Sequence, residues 1–94
     1  PLYPLLRLKV PCPDELKQRV MEKIQRMAPA LYPSTKRILT VDGLRFELPE
    51  GWVVVRPSGT EPVIRVAAEA NTRKRAEKLL QIALRTIKGA LKEA

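Results

Sequence analysis

Between residues 38 and 68, four short runs of strand-forming residues are separated by punctuation that suits tight turns. Asp42-Gly43 divides Ile38–Val41 from Leu44–Leu48, and Pro49-Glu50-Gly51 divides that run from Trp52–Arg56. The segment from Pro57 to Pro62 then leads into the valine-rich run Val63–Ala68. Asp-Gly between two such runs is a strong hairpin signal, because a type I′ turn needs positive φ at both central residues. With hairpins dominating the connections, the sheet is expected to be mainly antiparallel.

The flanking segments supply the rest of the fold. Leu5 to Val10 alternates, with Leu6, Leu8 and Val10 on one face and Arg7 and Lys9 on the other, the pattern of a half-buried strand. Pro13 suits the first helical position, followed by Asp14 and Glu15 near the positive end of the helix dipole. Leu16, Val20, Ile24 and Met27 make one helical stripe, which Pro29 is expected to end. Tyr32-Pro33-Ser34 reads as a connector. A second helix begins with Asn71 or Thr72 as N-cap and aligns Ala76, Leu80, Ala83, Ile87 and Leu91. Arg73, Lys74 and Arg75 fall in its first turn, where the dipole disfavours cations, and read as solvated surface. The order is strand, helix, four strands, helix: an α+β fold with both helices on one face of the sheet. Ninety-four residues suffice for one such domain, spanning 1–94. The chain begins at Pro1 rather than Met, which suggests a segment of something longer.

Composition narrows the function. A formal net charge of +8 directs attention to anionic partners: nucleic acid, acidic lipid or phosphorylated small molecules. A solvated basic surface with no partner fits too, and charge alone favours it. No apolar run approaches the ~20 residues that cross a bilayer, so no membrane partner is expected. The single Cys12 excludes an internal disulfide framework and suggests a reducing compartment, hence the cytoplasm. With no histidine and no dense Asp cluster for Mg²⁺, no catalytic residue and no metal ligand is assigned.

One loop carries chemistry. Arg56 ends a strand, and its planar fork matches two phosphate oxygens. Ser58 and Thr60 add hydroxyl donors. Gly59 lets backbone approach a ligand and adopt positive φ, so that successive N–H groups converge on an anion. Pro57 and Pro62 stiffen the two ends. No lysine follows the glycine and no helix follows the loop, so it is not a Walker loop. Taken alone, the same residues also make an ordinary β-turn.

Asp42-Gly43, Gly51-Trp52, Arg56-Pro57-Ser58-Gly59-Thr60-Glu61-Pro62, Arg65 and Glu69-Ala70 together resemble the fourth, C-terminal domain of the α-D-phosphohexomutase family. That family includes phosphoglucomutases, phosphomannomutases and phosphoglucosamine mutases. The resemblance implies a TATA-binding-protein-like order and a loop that grips the non-transferred phosphate of a hexose phosphate. It maps phosphate contacts onto Arg56, Ser58, Gly59 and Thr60. Arg65 either reaches the phosphate, braces the loop or simply pairs with a glutamate, and Glu61 orients a neighbouring arginine. Trp52 reads as core or domain-interface packing. The family's phosphoserine, Mg²⁺ loop and sugar-specificity loop have no match here. Mg²⁺ is therefore expected on another domain of a parent enzyme, and this domain is expected to bind phosphosugar without turnover. The rivals are a nucleic-acid-binding module, made unlikely by an aromatic content of 4%, and a structural or assembly domain.

Overall fold

The structure, a computed structural model, describes residues 3–94. Seven elements follow in the expected order: β1 (Leu5–Pro11), α1 (Asp14–Leu31), β2 (Arg37–Leu39), β3 (Leu44–Leu48), β4 (Gly51–Pro57), β5 (Val63–Ala70) and α2 (Arg73–Glu93). The five strands form one wholly antiparallel sheet in the order β1-β5-β4-β3-β2. The first strand therefore pairs with the last, and the hairpins of β2 to β5 fill the other side.

Alternation along each strand sorts the sheet into two faces. Val10, Leu44, Phe46, Leu48, Val53, Val55, Ile64, Val66, Ala68 and Ala70 are buried beneath the two helices. Both helices pack on that one face, and the opposite face is open. The α2 stripe is buried at Ala76, Leu80, Ala83 and Ile87, with Leu79 and Ala90 beside it and Leu91 at the margin. Its N-cap is Thr72, whose Oγ1 accepts the Arg75 amide at 3.1 Å. The cations of its first turn are not simply solvated: Arg73 pairs with Glu77, and Arg75 reaches Glu50 on the β3–β4 turn.

Four local expectations are corrected by packing. Pro29 does not end α1, which runs on to Leu31. Proline removes one backbone donor, but the end of the helix is pinned from both sides. Tyr32 donates its buried hydroxyl to Leu79 O at 2.7 Å, and its ring meets Phe46 edge-on at 4.9 Å. The α1 stripe continues at Ala28, which is buried, rather than at Met27, which is exposed: Val20, Ile24 and Ala28 follow at spacings of four on one face. At its other end, Pro13 is the N-cap rather than the first helical residue, its carbonyl accepting from Leu16 N.

The fourth correction is a register. Asp42 and Gly43 do adopt positive φ, 56° and 109°. The β2–β3 pairing, however, sets Leu39 opposite Arg45 and Ile38 opposite Phe46, which makes a longer loop than a two-residue turn. A two-residue turn at Asp42-Gly43 would pair Val41 with Leu44. Because side chains alternate, a slip of one residue exchanges faces. The observed register keeps Ile38 over the core beside Phe46 and leaves Val41 84% exposed at the loop.

Candidate functional site

The open face of the sheet carries a row of cations. Cross-strand registry places Lys9 of β1 opposite Arg65 of β5, and Arg65 opposite Arg56 of β4. Like charges directly opposite destabilise a sheet. Here one carboxylate relieves part of the repulsion. Glu61, on the β4–β5 loop, accepts from Lys9 Nζ at 3.1 Å and from Arg65 at 2.7 Å. The Lys9 ammonium, with Arg65 behind it, holds the Glu61 carboxyl below the usual range. Among the described residues, no carboxylate pairs with Arg56. Arg7, Lys9, Arg56 and Arg65 rim a concavity of about 410 Å³ floored by Val54 and Ala67.

The loop sits at the end of this row, against the β1–α1 connector. Ser58 N donates to Val63 O at 3.0 Å, and Cys12 N donates to Pro62 O at 2.8 Å, closing both ends. Ser58 is the buried member of the loop, 7% exposed. Its Oγ accepts from Thr60 N at 3.2 Å and Glu61 N at 3.0 Å. Ser58 thus acts first as an internal brace, of the kind short hydroxyl side chains offer turning backbone. Its remaining proton is still free to donate. This corrects the expectation of converging amides: Thr60 and Glu61 N–H groups are committed inward, and among residues 58–61 the free amide is that of Gly59.

Gly59 differs from expectation in conformation too. Its φ is not in the left-handed region, and a Cβ built on it would meet nothing within 4 Å. What the glycine leaves is an open approach to backbone rather than an unusual turn. Thr60 is exposed beside it, Pro57 closes β4, and Pro62 lends its carbonyl to Cys12. Arg65 is paired with Glu61, as in the glutamate-paired alternative, and lines the same concavity as Arg56. Trp52 is not in the core: it lies half-buried on the open face, with the Arg45 guanidinium 4.8 Å from its ring centroid.

Sequence reasoning missed Lys17. It lies on α1, 13% exposed, and reaches under the loop to donate to Ser58 O and Glu61 O, both at 2.6 Å. Asp14, one turn earlier, holds the same ammonium at 2.6 Å. The residues are 41 and 44 positions apart, so only the fold brings them together. The available signal was weak: an acid and a lysine three apart on the first turns of a helix.

No group of three or more His, Cys, Asp or Glu side chains among the described residues comes together as a metal site. Two carboxylates of the open face are paired with cations, Glu47 with Arg37 and Arg45 and Glu61 with Lys9 and Arg65. No helix among the described residues is long and apolar enough to cross a membrane.

The profile of a family described as phosphoglucomutase/phosphomannomutase, C-terminal domain, matches residues 5–85. The chain belongs to that family. A probable phosphoglucosamine mutase of Pyrococcus abyssi is 45% identical over 94 residues, all of this chain and 21% of that protein. A phosphoglucosamine mutase of Methanocaldococcus jannaschii is 45% identical over 91 residues, 97% of this chain and 20% of that one. Among solved structures, a phosphoglucomutase/phosphomannomutase family protein from Burkholderia thailandensis superposes with a TM-score of 0.73 at 25% identity. That superposition covers 96% of this chain and 18% of the other. The chain thus spans about a fifth of the length of the curated relatives it matches.

Proposed function

We propose that this chain is the phosphate-gripping domain of a phosphohexomutase acting on glucosamine phosphate, with Arg56–Pro62 holding the phosphate that is not being transferred. The observation that carries this reading is the charge of the cation row beside the loop. Lys9, Arg56 and Arg65 bring three positive charges against the single negative charge of Glu61. The row keeps a positive surplus suited to a phosphate dianion, and Arg7, unpaired among the described residues, adds a further charge on the same concavity. The unpaired guanidinium of Arg56, which begins the loop, is the one placed to fork onto the phosphate. The Gly59 amide and the Thr60 hydroxyl stand ready at the same edge. Arg65, steadied by Glu61, supports the field without leaving its carboxylate.

In the parent enzyme, phosphate would pass between a phosphoserine on another domain and the sugar hydroxyls at positions 1 and 6. The doubly phosphorylated intermediate must turn round between the two transfers. A loop that recognises phosphate, and makes no demand on the sugar, accepts either orientation. Closure of this domain over the cleft would help exclude water during transfer. No step assigned to these residues passes through a metal, and Mg²⁺ belongs on another domain in this reading. The other domains of the parent are its partners. The cytoplasm is the compartment, where the buried Cys12 thiol stays reduced. A nucleic-acid module is less favoured, because the one tryptophan is occupied by Arg45.

Amide NMR of the 94-residue chain titrated with glucosamine 6-phosphate, glucosamine and inorganic phosphate tests the reading. The two phosphates are expected to move residues 56–60 with millimolar affinity, about −4 kcal/mol, and glucosamine to move nothing there. Equal responses to glucosamine and its phosphate would refute it.

A further inference from the structure

The loop owes its shape to a residue outside it. Lys17 Nζ is held by Asp14 and points both remaining donor directions at main-chain carbonyls of the loop, Ser58 O and Glu61 O. An ammonium has three donors, so this residue is fully committed. The peptide joining Ser58 to Gly59 is trans, since the described residues hold no cis bond. In a trans peptide the carbonyl and the following N–H point in opposite directions. Drawing Ser58 O down onto Lys17 therefore drives the Gly59 N–H up and away from the helix. That amide is the free one among residues 58–61. An ammonium at the carbonyl end also polarises the peptide, making the amide at its far end a better donor to an anion.

We propose that Lys17 is the positioning residue of the phosphate loop, holding the Ser58–Gly59 peptide carbonyl-in and amide-out so that Gly59 N–H is aimed at the bound phosphate. This rests on the phosphate reading of Arg56–Pro62. Lys17 touches no ligand itself. Its effect is to fix one peptide plane beforehand, so that binding does not have to order it. The other internal brace, Ser58 Oγ, turns the Thr60 and Glu61 amides inward, so the two devices divide the loop's donors between structure and ligand.

The test compares the wild-type chain with Lys17→Met, Lys17→Arg and the control Lys23→Met, which removes an equal charge from α1 where Lys23 pairs with Glu93. Two quantities are read by amide NMR: the response to inorganic phosphate, and hydrogen exchange without ligand. Lys17→Met is expected to shift the Gly59 amide, to speed exchange at Thr60 and Glu61 about tenfold and to weaken phosphate about tenfold. Exchange in the core of α2 should stay unchanged. Lys17→Arg, which keeps a cationic donor of similar reach, should recover most of both losses. Lys23→Met should bind as the wild type does. Wild-type binding and loop exchange in Lys17→Met would overturn the role of Lys17. Equal weakening in Lys23→Met would overturn it too, reducing the effect to net charge. If Lys17→Met does not fold, failure of the folded Lys17→Arg to hold the Gly59 shift and phosphate affinity near wild type counts against the proposal. Absence of any phosphate response in the wild type would instead refute the phosphate reading itself.

Discussion

Replacing Ser58 by alanine separates a hydroxyl that serves the ligand from one that serves the loop. In the structure Ser58 Oγ accepts two amides, at 3.0 and 3.2 Å, from within a residue only 7% exposed. Each such bond between neutral groups contributes about 0.5–1.5 kcal/mol net, and a donor left unpaired inside costs about 1–3 kcal/mol. Thr60 is exposed and Glu61 half-exposed, so water can reach part of the loop once it loosens. The lower ends of those ranges therefore apply, and the two bonds together come to about 1–2 kcal/mol. For a domain of this size that lowers Tm by roughly 5–10 °C. Urea unfolding of the ligand-free chain, followed by Trp52 fluorescence and by circular dichroism, measures it. The loss is expected with no phosphate present, and with an unchanged m-value because the folded state stays as compact. A variant as stable as wild type that nonetheless bound phosphate poorly would refute the bracing role and return Ser58 to a donor facing the ligand.

The two glycines at the sheet's turns and loop should respond oppositely. A Cβ at Gly51 would overlap the Glu69 carbonyl oxygen and stand 2.9 Å from Ala70 Cα, both main chain of the paired strand. Gly51→Ala should therefore cost more than about 2 kcal/mol in denaturant unfolding. Gly59→Ala meets nothing within 4 Å and asks for no unusual φ, so stability should stay within about 0.5 kcal/mol while phosphate affinity falls. Equal destabilisation by the two would contradict the geometry. The Glu61 carboxyl should titrate below the ordinary glutamate value of about 4.3 by carbon NMR, chiefly because of Lys9. Its contribution to stability is then complete above that value and lost as pH falls through the lowered midpoint. Lys9→Met should move the midpoint upward; an unmoved midpoint would remove Lys9 as the main cause.

How far the sequence could be read divides along physical lines. Element order was legible because turn chemistry is local: Asp42-Gly43 and Pro49-Glu50-Gly51 mark breaks whatever surrounds them. Arg56 to Pro62 was legible as a unit for the same reason, since an arginine, two hydroxyls and a glycine between prolines are contiguous. What escaped depended on distance or on packing. The β2–β3 register was decided by which face Ile38 must bury, not by the turn residues. Pro29 sits within a helix whose end Tyr32 pins from 47 residues away through Leu79. The inward turn of the Thr60 and Glu61 amides follows from burial of Ser58, which no local pattern announces. Lys17 belongs to the loop only because β1 and β5 are neighbours, bringing the start of α1 beneath it.

The most direct measurement is a titration of the wild-type chain and of Arg56→Ala with inorganic phosphate, mapped residue by residue by amide NMR. The account expects wild-type shifts centred on residues 56–60, saturating in the millimolar range, and at least a tenfold loss of affinity in Arg56→Ala with the fold intact. Shifts spread over the basic faces of α1 and α2, or a response that survives unchanged in Arg56→Ala, would contradict it.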